Sequence, residues 1–230
     1  PRGGVRLPRS SAVEVAYLAL ATLYSLTLPL KRTVTLVDLV VLVAIFVAYT
    51  LRIAQAPPEE PNLVGPSAWL ATLRRRRRRA TYLCFFVLAA VVILLSAERF
   101  ADGLVQTGEE FGISPFFLVQ WVAPLASEAP ELLVAGLYAW HLNTTNGLST
   151  LVSSKVNQWT LLVGTLPLVF AVASGTATGL PVGPAQREEL LLTAAQSLFA
   201  VALLVNLYLG AREATALVGL FLLQFALAAL

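Results

Sequence analysis

Glu128 and Glu131 are two carboxylates inside an apolar stretch, in the run Ala123-Pro124-Leu125-Ala126-Ser127-Glu128-Ala129-Pro130-Glu131. A charged side chain at the centre of a bilayer costs about 3 kcal/mol, so acids placed there face a polar pathway and serve it. Read as i and i+3 on a helix, the two project from one face about a turn apart. Pro124 and Pro130 bracket them. Each proline removes a backbone N–H and frees a carbonyl one turn earlier. Proline at 130 cannot bond to the carbonyl of Ala126, so a local break is expected within the acidic turn of a helix over 114–140. Broken backbone at membrane depth is tolerated where it lines protein or a water-filled cavity. Carboxylate and carbonyl oxygens gathered in mid-span are the ligands of a hard cation.

A second polar cluster opens the next apolar run, in Leu151-Val152-Ser153-Ser154-Lys155-Val156-Asn157-Gln158-Trp159-Thr160. A short loop at 141–150 joins the two runs, so their helices are expected to be antiparallel neighbours whose polar stretches meet. Ser154 and Gln158 share one face, as do Ser153 and Asn157. Lys155 needs a counter-ion at this depth, and Glu128 and Glu131 are the nearest acids by topology; the competing reading is a lysine snorkelling to the interface. Gly147-Leu148-Ser149 suggests an intramembrane nucleophile, but no histidine lies in a later span to act as its base. His141 reads as an interfacial residue. Asp38 reads as the cap of an early helix.

These residues need helices to hold them. Of the 230 residues, 57% are hydrophobic and 13% charged, and the mean hydropathy is +0.76. A soluble domain carries about a quarter charged residues, so that class is excluded. A spanning helix needs about 20 mostly apolar residues. Seven stretches qualify: 12–30, 34–54, 80–100, 114–140, 151–174, 190–209 and 212–230. The alternating pattern of a membrane barrel is missing, which makes the fold all-α. The last two stretches have few polar residues and read as lipid-facing support. The lone cysteine, Cys84, excludes an intrachain disulfide.

The basic residues set the orientation. Arg74 to Arg79 follow the polar linker Gln55-Ala56-Pro57-Pro58-Glu59-Glu60-Pro61. Arginines without an aromatic platform beside them do not describe a nucleic-acid site. Flanked by spans, they describe a cytoplasmic loop that also attracts anionic lipid. With that linker inside, the inner face holds Arg2, Arg6, Arg9, Arg52, Arg74 to Arg79 and Arg212, eleven of the sixteen basic residues. Lys31, Arg32, Arg99 and Arg187 fall outside, and Lys31-Arg32 fits least well. The short loops suit a prokaryotic plasma membrane.

The stretch 112–175 resembles an α-repeat of the cation/Ca²⁺ exchanger superfamily, which includes sodium/calcium and proton/calcium antiporters. Ala129-Pro130-Glu131 is similar to the end of that family's Gly-Thr-Ser-x-Pro-Glu signature. Ser153-Ser154-Lys155-Val156-Asn157-Gln158, followed by Leu161-Leu162-Val163-Gly164, resembles its Gly-Ser-Asn-Ile-Phe-Asn motif and the apolar run beyond. Pro130, Glu131, Ser154 and Gly164 match at the strong positions. Glu128 stands where the family has Ser, Ser153 where it has Gly, Lys155 where it has Asn, and Gln158 where it often has Asn or Asp.

The resemblance implies a ten-helix transporter of two inverted five-helix halves, with one α-repeat in each. Residues 1–54 would supply the last two helices of the first half, 55–79 a basic cytoplasmic linker, and 80–230 the second half. A chain with no methionine, even at position 1, is expected to continue upstream of Pro1 into the missing N-terminal half with the first α-repeat. The implied activity is exchange of Ca²⁺ or another cation for Na⁺ or H⁺. Glu131 and Glu128 would bind the ion, and Ser127, Ser154 and Gln158 would complete the shell. Lys155 is expected to pair with Glu128 and leave Glu131 to the ion. Exchange needs no covalent chemistry, so neither enzyme activity nor an organic cofactor is implied. The alternative is a membrane scaffold or sensor whose site is filled by a permanent Glu–Lys pair.

Overall fold

The computed structural model describes residues 3–55, 66–113, 118 and 128–228. They fall into two compact units, Pro1–Ala56 with Ser127–Leu230, and Pro57–Ala126. Within the described residues the fold is all-α apart from two short antiparallel ribbons.

In the larger unit β1 (Gly4–Arg6) leads into α1 (Ser11–Ser25), and a 3₁₀ turn at Leu28–Leu30 and β2 (Thr33–Val34) lead into α2 (Leu36–Ala54). α2 starts where Thr35 Nα donates to Asp38 Oδ2 at 2.8 Å. That bond satisfies a backbone donor the first turn otherwise leaves orphaned. In the smaller unit α3 (Pro66–Thr72) precedes α4 (Arg75–Phe111). At 37 residues, α4 is about 56 Å long and overshoots the ~30 Å hydrocarbon core. It runs unbroken through Glu98, Arg99 and Asp102. It stops at Gly112, whose φ of 63° is a left-handed cap, with Ile113 Nα bonded back to the Gly108 carbonyl at 2.8 Å.

The larger unit resumes with α5 (Ala129–Trp140) and α6 (Thr144–Asn157), which runs on through a π-helical segment at Gln158–Val163 into α7 (Gly164–Ser174). β3 (Leu180–Pro181), α8 (Pro184–Leu204), β4 (Tyr208–Gly210) and α9 (Ala211–Ala228) complete it. The expected 141–150 loop is shorter than its sequence suggested. α6 already begins at Thr144, after a turn in which Leu142 takes φ 58°. Among the described residues, four helices, Ser11–Leu30, Leu36–Ala54, Arg75–Phe111 and Thr144–Ser174, are long and apolar enough to cross a membrane.

The two ribbons mark opposite ends of the larger unit. β1 pairs with β4, Gly4 against Gly210 and Arg6 against Tyr208. Thr145 donates to the Arg6 carbonyl at 3.3 Å and brings the start of α6 to the same end. β2 pairs with β3, Thr33 against Pro181, and Arg187 Nε donates to the Pro29 carbonyl at 2.6 Å. Arg6 and the Arg212 turn therefore share one end, and Lys31, Arg32 and Arg187 the other, as the charge count grouped them. Lys31 also forms an ion pair with Asp38, a fully buried carboxylate that Tyr24 Oη reaches at 2.7 Å. Its charge is matched where it stands.

The core lies between α1, α2, α6 with its π segment, and α8. Leu18, Leu42, Val156, Trp159 and Ala194 are all but sealed from solvent. α8 corrects the expectation that the last two apolar runs are lipid-facing support. It buries a stripe of Ala194, Ser197, Val201 and Leu204, the i, i+3, i+7 spacing of a core-facing helix. Gly164 fits because a Cβ there would lie 2.9 Å from Leu42 Cβ. Gly164→Val is expected to force α2 from α7 and cost about 2 kcal/mol, read as a lowered melting temperature in detergent.

Candidate functional site

Glu128 is the N-cap of α5 and Glu131 lies in its first turn. Pro130 falls in that turn too, where the missing N–H is one that no intrahelical acceptor would have used. The prolines were expected to break a helix over 114–140. The described helix begins at Ala129, and the rest of that expectation falls on 114–117 and 119–127, Ser127 among them, which lie outside the described residues. Both acids sit at the N-terminal, positive end of the helix dipole.

Helix lengths set the level of the acids relative to the facing polar cluster. α5 has 12 residues, about 18 Å or little more than half the hydrocarbon core. The turn at 141–143 makes it antiparallel to α6, whose 14 residues run about 21 Å back to Asn157. The start of α5 is thus level with the end of α6, near the middle of the span Thr144–Ser174. The contact is direct: Gln158 Nε2 donates to Glu128 Oε1.

Glu128, Glu131, Ser154, Lys155 and Gln158 line one cavity of about 290 Å³. Ser154 and Gln158 share the face their spacing predicts. Ser153 instead donates to the Thr150 carbonyl at 3.2 Å, and Asn157 is exposed. Glu131 Oε2 is buried and accepts no hydrogen bond from the described residues. Its lone pairs face the cavity unclaimed by any described donor, which suits a cation ligand. Lys155 and Glu128 interact through their charges without the direct ion-pair contact that Lys31 and Asp38 make among the described residues, and Gln158 donates to Glu128.

Gln196 and Ser197 of α8 also line the cavity, and sequence reasoning passed over both. Gln196 Nε2 donates to Gln224 of α9. Ser197 Oγ accepts from Trp159 Nε1 at 3.0 Å, which ties α8 to the π segment. Two adjacent polar residues in the run 190–209 were the signal. The π segment was missed as well; Pro167, buried inside α7, cannot bond to the carbonyl of Val163, where that segment ends. Ser149 Oγ lies 3.0 Å from Ser11 Oγ, a link between α6 and α1. His141 caps α5, its Nδ1 2.8 Å from the Leu137 carbonyl.

Residues 81–230 match the model of the family described as Sodium/calcium exchanger protein. The chain belongs to that family. The resemblance read from Pro130, Glu131, Ser154 and Gly164 pointed to the same superfamily, and the all-α membrane fold it implied is the fold observed. Among solved structures, the chain is similar to a crystal structure of an H⁺/Ca²⁺ exchanger, CAX, with a TM-score of 0.92 and 42% identity. The likeness covers 97% of this chain and 57% of that one. No curated protein matches the chain. Within the exchanger family, then, the chain spans little more than half the length of the solved relative.

Proposed function

We propose that the chain is part of a secondary cation antiporter in which Glu131 and Glu128 bind the transported ion. Glu131 carries the reading: one of its carboxylate oxygens is buried, lines the cavity and lacks a hydrogen bond from the described residues. Ser154 and Gln158 complete or orient the shell from α6 and the π segment, and Ser127 belongs to the same proposed set. Ca²⁺, Na⁺ and H⁺ are the ions proposed to compete for it. Two ions that neutralise the same carboxylates in turn need no covalent step and no organic cofactor. Family membership and the likeness to an H⁺/Ca²⁺ exchanger support the reading. The first α-repeat, with the facing carboxylate, is proposed to come from the N-terminal half of the protein, in a plasma membrane with the Arg74–Arg79 linker inside.

The test is ion flux through liposomes that carry the intact protein. A Na⁺ gradient is expected to drive ⁴⁵Ca²⁺, or a proton gradient to drive ⁴⁵Ca²⁺ or ²²Na⁺, against the cargo's own gradient. Liposomes in which no imposed cation gradient moves either isotope would favour the scaffold reading.

A further inference from the structure

Lys155 lines the same cavity as Glu128 and Glu131; it feels the charge of Glu128 but makes a direct ion-pair contact with neither acid. Among the lining residues these three are the charged ones; Ser154, Gln158, Gln196 and Ser197 are polar and neutral, and the remainder are apolar. The described wall thus holds two carboxylates against one lysine in surroundings that screen charge poorly. We propose that Lys155 is a specificity residue, whose positive charge sets the valence preference of the cavity and weighs against divalent ions. The inference rests on the reading of this cavity as a cation site.

The repulsion between Lys155 and an ion in the cavity is proportional to the ion's charge, whatever the distance or effective dielectric. Affinity depends exponentially on that energy. A factor by which Lys155 weakens a monovalent ion is therefore squared for a divalent ion at the same place. A lysine that only fills space or holds two helices together has no such signature, because removing it would shift both ions by a common factor.

The experiment measures binding of Na⁺ alone and of Ca²⁺ alone to the intact purified protein by titration calorimetry, at constant ionic strength. Wild type, K155Q and K155R are compared. K155Q is expected to bind Na⁺ about tenfold tighter and Ca²⁺ about a hundredfold tighter than wild type. K155R keeps the charge and is expected to stay within about threefold of wild type for both ions. K155N, which installs the motif residue, carries the same test if K155Q does not fold. Equal shifts for the two ions, weaker binding, or no change in K155Q and K155N would overturn the inference while leaving the antiporter reading intact. Wild-type protein that binds neither ion would overturn both.

Discussion

Glu131→Gln is expected to lower cation exchange by the intact protein about a hundredfold, with little loss of fold. The substitution keeps the size of the side chain and removes its charge. The lost charge is worth about 3 kcal/mol where a bound cation depends on it. Its buried oxygen, without a hydrogen bond from the described residues, has no structural partner among them to lose. The melting temperature is therefore expected to hold or rise, since a neutral amide is easier to bury than a carboxylate. Glu128→Gln is expected to act more mildly, because Glu128 already accepts from Gln158. Flux and melting temperature measured on the same preparations check both statements. An exchange rate near that of wild type in Glu131→Gln would remove Glu131 from the site.

Asp38→Ala is expected to do the reverse, lowering stability by about 3 kcal/mol while leaving the residues of the cavity untouched. Asp38 is fully buried and is met by Tyr24 Oη, Lys31 Nζ, Thr35 Nα and Thr35 Oγ1. Alanine abolishes the cap of α2 and strands the Tyr24 hydroxyl and the Thr35 amide. A lost cap costs about 1 kcal/mol, and a buried donor left unpaired costs about 1–3 kcal/mol. Lys31, 39% exposed, can turn to water, which keeps the total near the lower end. Asn at 38 retains an acceptor for Thr35 and is expected to lose less. Thermal unfolding in detergent ranks the three proteins, and a ranking with Asp38→Ala near wild type would mean the cluster is not a structural anchor.

The site was readable in the sequence where chemistry is costly. Acids and prolines in an apolar run have few physical explanations, and Ser154 and Gln158 at i and i+4 had to share a face once the run was helical. Their meeting with Glu128 followed from a short turn and antiparallel helices. What escaped notice depends on tertiary partners. Ser197 looked like one polar residue in a lipid-facing helix until Trp159 turned its indole N–H towards it. The stripe Ala194, Ser197, Val201 and Leu204 was present in the sequence, but small and polar residues weaken a hydrophobic pattern that leucine would have made plain. Lys155 and Glu128 looked like partners by charge alone. Gln158 holds Glu128 instead, a choice of rotamer and register that no spacing rule decides. The π segment at 158–163 likewise follows from Pro167 and close packing against α2, not from local propensity.

The most direct measurement is carbodiimide labelling of the intact protein followed by peptide mass spectrometry, which reports whether the Glu131 carboxylate is open to reagent. Glu131 is expected to be labelled in cation-free buffer and to be protected, in a saturable manner, when Ca²⁺ or Na⁺ is added. Labelling of Glu131 that stays constant across both ions, at concentrations that support flux, would contradict the claim that a cation rests on that carboxylate.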